Sequence, residues 1–325
     1  MASNIVVSMT NFCNNRCKFC YMKDDLINHI EENIDYDKFY RNTIKLLETH
    51  NKKVSIRVYG GELLADEFPD SHIDSVYDYI DKIQKYCDDN AIESDISIGT
   101  NLLFTNVDRV YKKCVSHPRC LIRTSFDFKN RFNSKTLELF KNNYIKLKDY
   151  VSDVSLVSNK SNFIGIQEDG EYKDVFNMIY NDNKKIHLIN YIPNYDDYKE
   201  ELLTSDEYFE LYKYVYENYP NIIQVRDIVN NVRNNTKTKC MECVGSGLNP
   251  NGDITTCCLY QYNEKKYVEK NISLETRGLM ASNKLSCFTC PYYNGVCVTP
   301  CPLSIVTSGF DNDCYVRKFI DWLKK

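Results

Sequence analysis

Cys13, Cys17 and Cys20 place three thiols within eight residues, in the run Cys13-Asn14-Asn15-Arg16-Cys17-Lys18-Phe19-Cys20. A loop of that length can wrap one face of an iron–sulfur cube and bring each sulfur to a different iron. Cysteine thiolates are the usual ligands of such clusters, and a four-iron cube takes four ligands. Only three are local here. Either a distant cysteine completes the set, or one iron is left open for another molecule. Cysteines at short spacing also ligate zinc, so the rest of the chain has to decide between the two metals.

A loop of this kind needs a rigid platform. The apolar run Ile5–Met9 leads directly into it, and further strand candidates are Val54–Tyr59, Ile96–Gly99, Leu121–Phe128, Val154–Val157 and Ile186–Ile192. Helical patterns lie between and after them at Asp37–Thr49, Ser71–Cys87, Val107–Val115, Lys135–Leu147, Tyr172–Tyr180 and Asp206–Tyr219. The first has Phe39, Tyr40, Ile44, Leu46 and Leu47 at three-to-four spacing. Strands alternating with helices predict βαβ units and a parallel sheet. Six units are too few to close an eight-fold barrel. The expected fold is therefore α/β, a partial (β/α)6 TIM-type barrel over residues 1–230.

In parallel α/β folds chemistry gathers at the C-terminal ends of the strands. The second strand runs into Gly60-Gly61-Glu62, where two glycines would let the backbone approach a ligand closely. The third ends at Gly99-Thr100-Asn101 and the fourth at Ser125-Phe126-Asp127. A hydroxyl and a carboxylate on alternate strand residues project to one face, which suits a ribose diol. Each motif taken singly also reads as an ordinary turn.

The chain has 325 residues, with 41 basic and 45 acidic side chains and a net charge of −4. That balance gives no reason to expect nucleic acid or a membrane surface as partner. No apolar run approaches the ~20 residues that span a bilayer, and the start lacks the features of a signal peptide. A cytoplasmic setting follows, where thiols stay reduced. The fifteen cysteines are then metal ligands in preference to disulfides. Nine of them follow a polar, asparagine-rich stretch at 227–239 that reads as a linker. Residues 231–325 are expected to form a second domain held by metal more than by apolar burial.

The cysteine loop, with Phe19 just before its third thiol, resembles that of the radical S-adenosylmethionine (SAM) enzymes. The resemblance implies that the open iron chelates the amino and carboxylate groups of SAM. An electron from the cluster then yields a 5′-deoxyadenosyl radical that abstracts hydrogen from an unreactive carbon. Gly60, Gly61 and Glu62 match the family motif that holds SAM's amino group, with Leu63 where proline is commoner. Thr100 and Asn101 resemble the family's Thr-Asn-Gly, with Leu102 replacing the glycine. Ser125 and Asp127 resemble its ribose-contacting Ser-Leu-Asp pattern.

The tail resembles the SPASM extension of peptide- and protein-modifying radical SAM enzymes. Cys240 is followed by Gly252 and Cys257, and Asn249-Pro250-Asn251-Gly252-Asp253 reads as a hairpin turn. The later half runs Cys287, Cys290, Cys297, Cys301 and Cys314, with a middle gap of six residues where the motif has five. The resemblance implies three [4Fe-4S] clusters in all. The first auxiliary one would take Cys240, Cys243, Cys257 and Cys301, and the second Cys287, Cys290, Cys297 and Cys314. Cys243 is the ligand that varies among relatives, and without it that cluster has an open iron. Two zinc-ribbon-like sites are the alternative. Cys87, Cys114 and Cys120 read as buried small hydrophobes. Cys258 neighbours a ligand, but adjacent strand residues face opposite ways; it is a candidate hydrogen donor to a substrate radical.

The favoured function is modification of a peptide, by crosslinking at cysteine or an unactivated carbon, in maturation of a short ribosomal precursor. The alternatives are peptide epimerisation using Cys258, sulfatase-maturase-type oxidation of Cys or Ser, and dehydrogenation of a small molecule. Two non-enzyme readings are an iron–sulfur electron-transfer protein and a zinc-binding module. An external electron donor such as flavodoxin or ferredoxin is implied. The first strand starts near residue 5, which leaves no room before it for a leader-binding domain, so a separate leader-binding protein is a further expected partner.

Overall fold

The structure, a computed structural model, describes residues 3–20, 22, 26–30, 34–49, 52–191, 196–237, 245–255, 274–298, 305 and 313–325. Strands and helices alternate from the start: β1 (Ser3–Ser8), α1 (Tyr36–Thr49), β2 (Lys53–Tyr59), α2 (Asp70–Asp89), β3 (Glu93–Gly99), α3 (Val107–Ser116), β4 (Cys120–Phe126) and α4 (Ser134–Leu147). Then come β5 (Val151–Ser158), α5 (Lys160–Gly165), α6 (Glu171–Asn181), β6 (Lys185–Asn190), α7 (Ser205–Asn218) and α8 (Ile223–Asn234). The strand order is β6-β5-β4-β3-β2-β1-β7-β8, with β7 (Gly245–Leu248) and β8 (Ile254–Thr255) closing the series. This is the expected α/β fold, a parallel sheet in a partial (β/α)6 barrel. Helices α9 (Leu274–Lys284) and α10 (Tyr315–Leu323) follow.

Two compact units divide the chain. The first comprises Met1–Ser125, Arg131–Asp153 and Val244–Lys266. Here β1 pairs in parallel with β2 on one edge and β7 on the other, and β2, β3 and β4 continue in parallel. Flanked on both edges, β1 buries Ile5, Val6, Val7 and Ser8 in succession, and Met9 follows them. A strand covered on both faces has no solvent side to alternate with, hence the burial of successive residues. Helix α2 turns Ile73, Val76, Tyr77, Ile80, Ile83 and Cys87 inward, one stripe at helical spacing. Cys114 and Cys120 are buried as well.

The expected hairpin joins β7 to β8, with Gly247 opposite Thr255 and Leu248 opposite Ile254. Gly252 takes φ of +76°, which favours glycine. Asn249 Oδ1 accepts from the N–H groups of Asn251 and Asp253 at 3.0 and 2.9 Å. Helix α1 holds the turn through Asn42 Nδ2, which donates to the Gly252 carbonyl at 2.7 Å, and through a Lys38–Asp253 ion pair at 2.8 Å.

The second unit comprises Phe126–Asn130, Val154–Cys243 and Tyr267–Lys325. Its interior is aromatic: the Tyr208 and Tyr315 rings stack at 4.6 Å, and Phe319 meets Tyr212 edge-on at 5.6 Å. Thr204 and Glu207 form a capping box that starts α7. The stretch at 227–239, expected as a linker, is helical as far as Asn234. Val225, Ile228 and Val229 form an apolar stripe that buries this helix, and polar neighbours hide that spacing from composition. Asn235, left-handed at φ of +49°, ends it. Among the described residues, no helix is long and apolar enough to cross a membrane.

Candidate functional site

The cysteine loop begins where β1 ends and is built as a continuation of the sheet. Met9 N–H donates to the Tyr59 carbonyl at 2.8 Å, Gly61 N–H to that of Thr10 at 2.8 Å, and Glu62 N–H to that of Phe12 at 2.7 Å. The β1–β2 ladder therefore runs on into the loop and fixes its first turn. The two glycines make this possible. A Cβ on Gly60 would stand 2.5 Å from the Thr10 carbonyl oxygen, and one on Gly61 would stand 1.9 Å from that of Phe12 and 2.9 Å from Cys13 Cβ. The close approach expected to serve a ligand is made to the cysteine loop itself.

Beyond Cys13 the loop is held by side-chain amides. Asn14 Nδ2 donates to the Leu103 carbonyl at 2.9 Å, and Asn101 Nδ2 donates to Asn14 Oδ1 at 2.8 Å. Asn15 N–H points at Cys13 Sγ at 3.4 Å, while its Nδ2 reaches Cys17 Sγ at 3.5 Å and the Arg131 carbonyl at 3.4 Å. Arg16 folds back on the Cys13 carbonyl and ties the loop to Ile27 and Asn28. All three thiols are partly buried. Burial, with Glu62 and the neighbouring thiols adding repulsion, pushes Cys13 up to about 12. Burial likewise pushes Cys20 up to about 11, against an opposing pull from Arg131. Cys13 and Cys20, raised this way, ionise together only beside a compensating cation. The donor set thus fits an iron–sulfur cluster. Among the described residues, no three His, Cys, Asp or Glu side chains converge on a point suited to one metal ion.

Glu62 links β2 to β3. It is fully buried; its Oε1 accepts from Thr100 Oγ1 at 2.8 Å and from Leu64 N–H at 3.1 Å, and its Oε2 from Asn101 N–H at 2.5 Å. Burial pushes the carboxyl up to about 6, and the three donors restrain the rise. The structure therefore brings Gly60, Gly61, Glu62, Thr100 and Asn101 together with the loop, as the strand-end reading expects. Leu102, where the family motif has glycine, is left-handed at φ of +57°.

Ser125, half-buried near the end of β4, is engaged by Arg131, which no motif singles out. Arg131 donates to the Ser125 carbonyl at 2.7 Å and to its hydroxyl, and its guanidinium lies 5.9 Å from the Phe19 ring centre. This puts a fixed cation against the cysteine loop, suited to an anionic group there. No motif frames Arg131, so only the fold reveals it. Asp127 lies past the strand end, in the second unit. It is fully buried and caps a turn, its Oδ1 accepting from the N–H groups of Lys129 (3.0 Å) and Asn130.

In the second unit, Cys287 opens a 3-10 turn that Cys290 closes, with Cys290 N–H donating to the Cys287 carbonyl at 2.9 Å. Asn294, between Cys290 and Cys297, is left-handed at φ of +50° within a turn. Cys314 is the N-cap of α10. Burial pushes its thiol up, Cys290 adds to the rise, and the N–H groups of Arg317 and Val316 oppose it. Cys297 and Cys314 both act on Tyr212. Cys240, Cys243, Cys257, Cys258 and Cys301 lie outside the described residues.

No family model matches the chain, and no curated protein matches it by sequence. Solved structures do. A tagged form of anSMEcpe with bound AdoMet, an anaerobic sulfatase-maturating enzyme, matches with a TM-score of 0.68 at 15% identity, over 99% of this chain and 93% of that one. The native enzyme with AdoMet and a Cp18Cys peptide matches with a TM-score of 0.63 at 14% identity, over 98% and 96% of the two chains. The chain has the anSMEcpe fold.

Proposed function

We propose that the chain is a radical SAM enzyme that modifies a peptide. The observation that carries this is the cysteine loop itself, tied to a β2 end and a β3 end that bear the SAM-type groups. When bound, the loop cluster and SAM supply an electron and a 5′-deoxyadenosyl radical able to take hydrogen from an unactivated carbon. Cys13, Cys17 and Cys20 would hold that cluster. Gly60, Gly61 and Glu62 fix the loop, with Thr100 and Asn101 completing the buried polar seat. Arg131 and Ser125 offer a cation and a hydroxyl to an anionic group, and Phe19 covers the guanidinium face. Cys287, Cys290, Cys297 and Cys314 would be the ligands of a second auxiliary cluster. Cys240, Cys243, Cys257 and Cys301 would hold the first, and the pair would suit removal of an electron from a substrate radical.

The substrate we favour is a short ribosomal precursor crosslinked at cysteine or at an unactivated carbon. Oxidation of a Cys or Ser side chain is the second reading, supported by the likeness to peptide-bound anSMEcpe. Anaerobic purification, iron and sulfide counting, then reductant and SAM test the class. Iron of about 12 per chain, as three four-iron clusters hold, with 5′-deoxyadenosine release is the expected result. Stoichiometric zinc, or iron without SAM cleavage, overturns it. Mass spectrometry of a cysteine peptide separates the chemistries: loss of a hydrogen pair with sulfur retained marks a crosslink, and sulfur replaced by oxygen marks oxidation. Deuterium entering an α-carbon from solvent, abolished by Cys258→Ala, marks epimerisation instead.

A further inference from the structure

The turn after β3 makes a left-handed excursion without a glycine. Leu102 has φ of +57° and a fully buried side chain. Sterics oppose that conformation in any residue with a Cβ, and it persists only where surrounding structure over-determines it. The over-determining group is Asn143, in the interior of α4 and 2% exposed. Its Nδ2 donates to the carbonyls of Leu102 at 2.9 Å and Phe104 at 2.7 Å. A buried amide in mid-helix costs stability unless bonded, and both of these bonds go to the strained turn.

Between the two clamped carbonyls sits Leu103, which reaches the cysteine loop. Its N–H donates to Asn101 Oδ1 at 2.7 Å and its carbonyl accepts from Asn14 Nδ2 at 2.9 Å. Asn101 Nδ2 closes the circuit on Asn14 Oδ1 at 2.8 Å. Asn14 stands directly after the first loop thiol and before the second. Three asparagines, from α4, from the β3 end and from the loop, thus form one connected path.

We propose that Asn143 is a positioning residue for the cysteine loop, holding the 102–104 turn in the form that lets Leu103 and Asn101 grip Asn14. The role of the loop rests on the radical SAM reading; the clamp does not. Asn143→Leu, close in shape, removes both donors. Two readouts on the anaerobically purified full chain follow the clamp and its consequence: hydrogen exchange at the Leu103 amide, and the SAM titration of the reduced loop cluster's paramagnetic resonance spectrum. Exchange at Leu103 should accelerate about tenfold or more, as loss of two buried bonds implies, and the titration midpoint should move about tenfold upward. With Leu102→Gly in place, which relieves the left-handed strain, Asn143→Leu should change both readouts far less, a coupling independent sites do not show. Asn14→Ala cuts the last link at an exposed residue and should move the titration without unfolding the chain, whatever the folding of the Asn143 variants. Unchanged exchange in Asn143→Leu, equal losses with Leu or Gly at 102, or an unchanged titration in Asn14→Ala overturns the proposal. An iron-replete wild type whose spectrum ignores SAM overturns the radical SAM reading instead, and the exchange cycle still judges the clamp.

Discussion

The two thiol-bearing regions are held in place by different means. The Cys13–Cys20 loop hangs from distant parts of the first unit, through bonds spanning 87, 89 and 116 residues of sequence. Among the described residues between Cys287 and Cys297, the backbone is held by turns that bond to their own neighbours, such as Cys290 to Cys287, Tyr293 to Cys290 and Gly295 to Tyr292. Distant bonds exist only when the whole sheet is folded, and they specify where the loop sits to a fraction of an ångström. Local turns form without a sheet but specify little beyond themselves. The difference teaches that the first site is shaped by the fold, whereas the second would draw its cohesion from the metal proposed for it.

The largest effect expected is at the loop. Cys17→Ala should abolish SAM cleavage and leave about two-thirds of the iron, the share of the two auxiliary clusters among three. A variant that still releases 5′-deoxyadenosine removes the loop from the mechanism. Removing all iron with a chelator is the next test, and it sharpens the contrast. The segment between Cys287 and Cys314 should become the first site of proteolysis, while β1 to β4 keep their hydrogen-exchange protection. Equal protection of both regions without iron would erase the distinction.

Gly61→Ala probes the fold-built side. Its Cβ would collide with the Phe12 carbonyl and Cys13 Cβ, backbone and near-backbone atoms that have no rotamer to yield. Overpacking of this kind costs about 3 kcal/mol, read as a lowered denaturation midpoint, with iron lost from the loop. Gly170→Ala is the control: it has φ of +141° but nothing within 4 Å, so it strains only itself. Equal loss of loop iron in the two variants would show that strain and not the collision matters.

The same contrast explains how much was legible in sequence. The cysteines, the alternation of strands and helices, and the glycine pair each leave a mark in spacing, and the hairpin at Asn249–Asp253 is written in turn chemistry. Arg131 and Asn143 leave none. Arg131 meets Phe19, and Asn143 meets Leu102 and Phe104, far off in the chain, and an asparagine used as a clamp looks the same as its many neighbours in an asparagine-rich sequence. Helix α8 was hidden for a related reason: its three buried apolar residues are outnumbered by polar ones facing out. Glu62 stands out in the sequence as a strand-end acid, but its bonds to Thr100 and Asn101 become visible only once β3 lies beside β2.

The smallest effect expected concerns pH, and it separates the two regions again. His72, near the start of α2, stacks on Phe68 at 3.8 Å and shares a hydrogen bond with the Tyr36 hydroxyl at 3.0 Å. Phe68 in turn meets Phe12, the residue before the first loop thiol, edge-on at 5.3 Å. Burial, with Arg109 adding repulsion, lowers the ring from about 6.5 to about 4, so the folded state keeps it neutral. The unfolded chain protonates first as pH falls. The stability from a neutral ring is therefore complete above pH ~6.5 and drains away between there and pH ~4. The ring is not fully enclosed, and solvent screening trims the effect to about 2 kcal/mol. His72→Phe keeps an aromatic stack and removes the titration. Its denaturation midpoint should start below that of the wild type at neutral pH and converge toward it in acid. Parallel pH profiles would show that His72 does not carry the acid sensitivity, and exchange protection that falls first around Cys287–Cys314 would place that sensitivity in the second unit.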